Sequence, residues 1–563
     1  EGSPSMGSGE FMALHLITEA GLKSRKGFSY YVGVGNEADI KFHDYLEFFT
    51  NDPDTRAILM YVEGLSDGRS FLQQAYKTTE KKPIILLKSG RTEIGCKSAG
   101  SHTGALAGIS EVAKSAFDRA GIITIENADE LFPVAETLTS LPPIYNNKVA
   151  ILADGGGHAT IASDLLTDHN VAIPRLERRT RTRLKELLPP NASLHNPIDV
   201  AGGADADPAV LVDCAEAILA DERIGGLLIT GLFGGYGIRF SEQLKIIEEE
   251  AAHRIGKLVK QSGKPIILHS LYSFAKPHSL DLLRCHDIPV YDSLDITCKC
   301  ISKLCNYGHK LAGPHRRASF VFHWERNSKK EGKELIENAL KEGRHMLLEH
   351  EGKALLELHE APVSHDRLAR NADEAARIAK TMNRKVALKI LSPQILHKSD
   401  AGGVKLHLSK PDEIKNAFKE IIASAKKYRK DADIKGCLVS PMAGDGVEVI
   451  IGTKIDAQFG PVIMFGIGGI LVEIVKDLSF RVLPISRTEP QKMIKEIKSY
   501  PILKGVRGRP PVDQQAICKL LLKVSEIIEA YPLIHEMDLN PVIVHEKGLT
   551  IVDVRILLKE GKA

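Results

Sequence analysis

Pro83-Ile84-Ile85-Leu86-Leu87-Lys88-Ser89-Gly90-Arg91, followed closely by Gly100-Ser101-His102-Thr103-Gly104-Ala105-Leu106-Ala107-Gly108, is the stretch on which the reading of this chain turns. The apolar run opened by a proline reads as a short buried strand. Ser110-Glu111 reads as the start of a helix, with the serine able to cap its free amides. The segment between them is too rich in glycine and small residues to pack as a core, and it leaves His102 without a bulky neighbour. A neutral imidazole near its ordinary pKa of ~6.5 is a nucleophile and can take up a phosphoryl group and pass it on. On loop chemistry alone, a turn histidine bonded to its own backbone is the stronger reading.

Outward from this strand, apolar runs alternate with helical periods from Ala13 to about Pro142. The pattern predicts a helix at Leu14–Gly21, a strand at Ser29–Val34, a helix at Phe42–Thr50, a strand at Ala57–Val62, a helix at Arg69–Thr79 and the strand Ile84–Leu87. Such alternation specifies a parallel, doubly wound sheet. The strand Ala57–Val62 runs into Glu63, so a carboxylate stands at a carboxyl end, where open α/β sheets keep their sites. The alternative for Glu63 is a solvated loop acid.

A second α/β unit opens at Lys148–Ala153 and turns through Asp154-Gly155-Gly156-Gly157-His158 into the helix Ala159–Leu166. Amides freed at Gly155, Gly156 and Gly157 would lie at a positive helix end that suits a phosphate, although three glycines alone are weak evidence. Asp154 would disfavour an anion there and is expected to point away. The unit continues through Asn196–Val200, Gly226–Thr230 and Pro265–Leu268 and closes with a helix before Gly308. Loss of hydrophobic period marks 311–332 as a linker; a helix at Lys333–Leu348, a strand at Val386–Ile390 and paired strands at Gly436–Ser440 and Val447–Gly452 come after it. The expected division is therefore 1–12 as tag residues to be left out of the fold, 13–143 and 144–310 as α/β domains, 311–332 as linker and 333–563 as a third domain.

The 563 residues, 43% of them hydrophobic, suffice for several cores. Net charge is +3, from 75 basic and 72 acidic residues that are interspersed, so no basic face for nucleic acid stands out. The most apolar run, Pro461–Val475, is broken by glycines and Glu473 and is too short to span a bilayer. Eight cysteines lack a framework spacing, and Cys298, Cys300 and Cys305 fall in the helical-looking segment Leu294–Leu311. This usage fits a reducing, cytoplasmic compartment.

Ser101-His102-Thr103-Gly104-Ala105-Leu106-Ala107-Gly108, with Leu87–Arg91 before it and Gly33–Asp39 and Asp52–Arg56 further upstream, resembles the phosphohistidine loop of the NDP-forming acyl-CoA synthetases, relatives of succinyl-CoA synthetase. The resemblance implies two flavodoxin-like, doubly wound parallel-sheet domains followed by an ATP-grasp domain. It makes His102 the phosphoryl carrier and Glu63 its supporting carboxylate. In the C-terminal half it makes Lys389 the cation for the α- and β-phosphates, Val439-Ser440-Pro441-Met442 the hinge that reads adenine, with Glu448 just beyond it, and Asn540 and Asp553, then Asp538, the ligands of Mg²⁺. His397, in His397-Lys398-Ser399-Asp400, matches a second phosphoryl carrier of the ADP-forming acetyl-CoA synthetases; taken alone it is a loop histidine.

The activity so implied is ADP-forming acyl-CoA synthesis from acetate or another short-chain acid, CoA and ATP, through acyl phosphate and phosphohistidine, with ATP/ADP and Mg²⁺ bound and CoA a substrate. Family members carry a CoA-binding Rossmann-like domain ahead of the region where this chain begins. The expectation is that the chain is a fragment or that a partner subunit supplies this domain, with a homodimer as the other assembly. Succinyl-type substrates, an ATP-grasp carboxylate ligase that makes acyl phosphate directly from ATP, and a regulatory nucleotide-binding protein without turnover are the competing readings.

Overall fold

The computed structural model describes residues 5–7, 24, 26–90, 92, 94, 110–313, 320–395, 397–468, 477–506 and 508–559. The expected helix Leu14–Gly21 and the loop carrying His102 lie outside the described residues. The chain divides into two compact units, residues 1–107 with 117–317, and residues 108–116 with 318–563.

The first unit holds two five-stranded sheets. In the first, β1 (Ser5–Gly7), β2 (Tyr31–Gly33), β3 (Ile58–Val62), β4 (Ile84–Lys88) and β5 (Ile123–Ile125) are all parallel, in the order β2-β1-β3-β4-β5. In the second, β6 (Val149–Ala153), β7 (Ile198–Asp199), β8 (Gly226–Gly231), β9 (Ile266–Ser270) and β10 (Val290–Tyr291) are parallel in the order β10-β9-β8-β6-β7. Read from the β7 edge, each sheet has the flavodoxin order 2-1-3-4-5, with its switch point between the first and third strands. This corrects one expectation. Ser5–Gly7, set outside the fold as tag residues, is the strand beside the switch point, and the first sheet has no flavodoxin order without it.

Helices cover both faces of each sheet, so β6 and β8 are buried along their whole length. The helix Gly68–Thr79 starts where Asp67 accepts the Ser70 amide at 3.0 Å, and Leu294–Ala312 where Ser293 accepts that of Ile296 at 3.3 Å. The latter helix matches the helical segment expected at Leu294–Leu311 and so continues past Gly308, where the unit was expected to close. At that glycine a Cβ would stand 2.2 Å from the Ile144 carbonyl, an approach only glycine permits. One apolar core runs through both sheets, with Leu59, Ile85 and Leu138 continuous with Ile144, Ile151 and Leu228. The Tyr291 hydroxyl, between Thr137 and Pro133 O at 2.8 Å each, fixes the last strand of the second sheet to the helix Leu131–Ser140. Cys298, Cys300 and Cys305 are buried in this packing, and burial pushes each thiol up to about 12.

The second unit is built on two antiparallel sheets. The smaller contains β12 (Arg367–Ala369), β13 (Val386–Leu391), β14 (Val404–Leu408) and β15 (Gly436–Pro441), in the order β12-β15-β13-β14. The larger contains β11 (Met346–Leu347), β16 (Val447–Asp456), β17 (Gly460–Ile467), β18 (Leu478–Val482), β19 (Ile534–Val544) and β21 (Val554–Leu558), in the order β11-β21-β19-β16-β17-β18, with β20 (Leu549–Ile551) on β19. Leu388, Ile421 and Cys437 centre the core of the first, and Leu355, Phe465, Leu520 and Ile556 that of the second.

The strands expected to pair at Gly436–Ser440 and Val447–Gly452 do not pair with each other. Their spacing and the turn residues Gly444-Asp445-Gly446 imitate a hairpin, but β15 takes β12 and β13 as neighbours and β16 takes β17 and β19. The connection Met442–Gly446 therefore passes from one sheet to the other. The helix expected at Lys333–Leu348 spans Lys330–Lys341 and ends at Gly343, whose φ of 72° no other residue adopts as readily, before β11 begins. Among the described residues no helix is long and apolar enough to cross a membrane.

Candidate functional site

At the carboxyl edge of the first sheet, β3 delivers Glu63 as expected. Its Oε1 accepts from the Tyr61 hydroxyl at 3.1 Å, and its Oε2 is buried with no partner among the described residues. Lys88, ending β4, donates to the carbonyls of Glu63 and Ser89 at 2.6 Å each. Glu37 closes the same edge, accepting the amides of Ser66 at 2.6 Å and Phe42 at 3.2 Å. A buried carboxylate oxygen without a donor is costly unless something else comes to it. His102 lies outside the described residues.

At the switch point of the second sheet, Gly155-Gly156-Gly157 turns β6 into the helix Gly156–Asp168. Space for a Cβ is open at Gly155 and Gly157. Asp154 is turned away from this turn toward β8, where it accepts the Leu232 amide at 2.8 Å and the Tyr236 hydroxyl. Burial pushes its carboxyl up to about 6 against these two donors, and Asp205 and Asp199 add to the rise. Asp199 also flanks the turn, 3.2 Å from where a Gly156 Cβ would stand. The helix end is thus open but bordered by carboxylates. His158, in its first turn, lies 6.0 Å from the ring of His269, which burial and His158 keep down at about 4.

In the second unit the side chains converge. Lys389 projects from β13 and is buried. It donates to Glu349 Oε1 and to the Val552 carbonyl, both at 2.8 Å. Glu349, the first residue of the helix Glu349–Leu358, also accepts Lys353 at 2.9 Å on Oε1 and Lys398 at 2.5 Å on Oε2. Lys398 reaches Asp553 as well, 2.9 Å from Oδ1 and 3.1 Å from Oδ2, and Lys353 reaches Asp366. Three ammonium groups and three carboxylates thus meet where the smaller sheet faces the β19–β21 end of the larger.

Burial alone would raise the Glu349 carboxyl, but Lys389, Lys398 and Lys353 hold it well below its ordinary range. Burial alone would lower Lys389 and Lys398, and Glu349 and Asp553 reverse that. Lysine was expected at 389. Glu349, Lys353 and Lys398 were not expected; the one sign of them in the sequence is the four-residue spacing of Glu349 and Lys353 and the lysine beside His397.

Asn540 and Asp553 come together as expected, with the Asn540 amide 3.3 Å from the Asp553 carbonyl, and Asp538 lies two residues back on β19 in register with Arg555. Asp538 Oδ1 is buried without a partner among the described residues, and burial pushes its carboxyl up to about 6 against Arg555. These oxygens suit a hard divalent cation. The Lys398 ammonium already holds a positive charge against one of them. Among the described residues no three His, Cys, Asp or Glu side chains form a metal-holding group.

Val439–Met442, expected as a hinge, ends β15 and begins the connection to β16. Val439 is inside the sheet, in register with Arg367 on one side and Leu388 on the other, and the Met442 amide donates to Lys385 O at 2.9 Å. Both are committed to the protein's own backbone bonding. Ser440 Oγ, within β15, is buried with no partner among the described residues. Glu448 is exposed on β16, and His397 is exposed in the turn that Lys398 anchors.

A family model for the succinyl-CoA ligase-like flavodoxin domain matches residues 7–138, and one for an ATP-grasp domain matches 338–558. The chain is 36% identical over 544 residues to acetate–CoA ligase [ADP-forming] I of Archaeoglobus fulgidus, covering 97% of this chain and 76% of that protein. It is 34% identical over 536 residues to 4-hydroxybutyrate–CoA ligase [ADP-forming] of Nitrosopumilus maritimus, covering 94% and 74%. Over 234 residues, 41% of this chain and 99% of the relative, it is 49% identical to the beta subunit of acetate–CoA ligase [ADP-forming] II of Pyrococcus furiosus.

Proposed function

The chain belongs to the ADP-forming acyl-CoA ligases, and from that premise we propose that it interconverts acyl-CoA, phosphate and ADP with a free acid, CoA and ATP. Phosphate attacks the thioester and releases CoA, leaving acyl phosphate. His102 attacks the phosphorus of acyl phosphate, the P–O bond to the acyl group breaks, and the acid leaves. The phosphoryl group passes to His397 and then to the terminal phosphate of ADP.

The observation that carries this reading is the Glu349–Lys389–Lys398–Asp553 cluster, which gathers cations where a polyphosphate chain and a divalent ion would be needed together. Lys389 would neutralise phosphate charge in a site that shields it from water. Asp553, Asn540 and Asp538 would hold Mg²⁺, which supplies charge neutralisation on the phosphates. Glu63, whose Oε2 has no donor among the described residues, would orient and charge-stabilise the imidazole of His102, as an acidic partner does for a nucleophilic histidine. Relatives that hold the matching region as a separate beta subunit support an assembly in which a partner contributes to CoA handling.

Intact-protein mass spectrometry after incubation with Mg-ATP tests the proposal. The expected result is one added phosphoryl group, stable in alkali and lost in acid, absent from the His102→Ala, His397→Ala double variant. Absence of any such adduct in the native chain, under conditions where Mg-ATP stabilises it, would overturn the phosphohistidine route.

A further inference from the structure

Lys398 does two things at once. Its ammonium holds Asp553 through both oxygens, at 2.9 and 3.1 Å, and Glu349 Oε2 at 2.5 Å. Its main chain closes the turn in which His397 stands: the Lys398 carbonyl accepts the Gly403 amide at 2.7 Å, the His397 carbonyl accepts that of Ala401 at 3.3 Å, and Gly403 O in turn accepts the Ile390 amide at 2.8 Å. The side chain is only 16% exposed, so its two carboxylate partners and not water define where it sits. Gly403 leaves no room to re-pack this turn, since a Cβ there would stand 2.5 Å from Ile390 and 2.9 Å from the Lys398 carbonyl.

A compact ammonium bound to both oxygens of one carboxylate takes the place that a divalent ion would take on the same carboxylate. Asp553 cannot serve both cations fully. Glu349, by contrast, keeps Lys353 and Lys389 whatever Lys398 does.

We infer that the Lys398 ammonium competes with a divalent cation for Asp553, so that a metal ion bound at Asp553 takes one of the two side-chain anchors from the His397 turn. Lys398 is thus a positioning residue: it reports the state of the nucleotide site to the histidine proposed to receive the phosphoryl group. The inference rests on the reading of Asp553 as a metal ligand and deepens it.

Mn²⁺ alone, with no nucleotide, is the probe, and free Mn²⁺ is read by electron paramagnetic resonance on the full chain. Lys398→Met, which removes the competing charge while Glu349 keeps two lysines, is expected to bind Mn²⁺ about tenfold more tightly than the native chain. Lys398→Arg, which keeps the charge, should resemble the native chain. Adding Asp553→Asn to Lys398→Met should abolish the gain. Equal affinities for the native chain and Lys398→Met would overturn the inference while leaving Asp553 as a ligand. A gain that survives Asp553→Asn would overturn both.

Hydrogen exchange on the native chain needs no variant. The amides of Ala401 and Gly403 are expected to exchange roughly threefold faster with Mn-ADP bound than without it. Unchanged or slower exchange would show that the turn does not sense Lys398 release.

Discussion

Removing Glu349 is the most informative perturbation of this chain, because one carboxylate balances Lys353, Lys389 and Lys398, and its side chain is 2% exposed. In Glu349→Ala three ammonium groups remain with Asp366, Asp553 and the Val552 carbonyl, a surplus of one buried positive charge. Breaking a buried pair by deleting one partner costs about 3–5 kcal/mol. For a unit of this size each kcal/mol lowers the midpoint by about 2–4 °C, so the expected fall is about 6–20 °C. Glu349→Gln, which keeps an acceptor and loses the charge, should lie between the native chain and Glu349→Ala. The assay is thermal unfolding followed by fluorescence of Trp324, the one tryptophan of the chain. It packs on Phe322 at 4.3 Å within the second unit and so reports that unit alone.

The pH dependence has a definite sign. The folded carboxyl of Glu349 is held well below 4.5, so its stabilisation is complete above the unfolded value and is lost only as pH falls through the folded one. The gap between the native chain and Glu349→Ala should therefore stay constant from pH 6 to about pH 8 and narrow only in acid, at about pH 4 and below. A loss under 1 kcal/mol for Glu349→Ala would refute the view that this carboxylate neutralises the cluster.

Lys389→Ala should abolish the rise in melting temperature that Mg-ATP gives the native chain, measured by the same fluorescence; a retained rise would remove Lys389 from the phosphate site. Labelling with γ-labelled ATP and peptide mapping at high pH should place label on residue 397 in His102→Ala and leave His102 unlabelled in His397→Ala, whereas normal labelling of His102 in the latter would eliminate the relay. Asp154, raised by burial to about 6 from 3.8, destabilises the first unit as pH rises through this window and it ionises, by about 3 kcal/mol once ionised. Asp154→Asn should flatten the stability profile between about pH 4 and 6 and raise the melting temperature at pH 7.5, as followed by circular dichroism.

The parallel sheets were legible because a strand buried on both faces leaves an unbroken apolar run, as at Ile84–Lys88 and Val149–Ala153, and because a carboxylate or a glycine turn follows at the carboxyl end. Ser5–Gly7 was not legible: three small or flexible residues carry no period, and their place is set by pairing with Tyr31–Gly33 and Ile58–Val62. The antiparallel half misled at Pro441–Gly446, where turn chemistry suits a hairpin and a crossover equally, and long-range pairing decides. The roles expected of Lys389, Asn540, Asp553 and Asp538 came from the family resemblance, and the structure sets Lys389 against Glu349 and Asn540 beside Asp553. Glu349 and Lys398 escaped because each looks like an ordinary surface charge until the fold buries it among the others.

The passage of the Leu294–Ala312 helix against Ile144, with Gly308 on the carbonyl itself, has a consequence for any attempt to dissect the chain. A fragment ending at residue 143 would lose the cover over Leu138 and expose apolar surface to water; one starting at 144 would leave Tyr291 without Thr137 and Pro133. Neither half would be expected to express as a soluble, cooperatively folding piece.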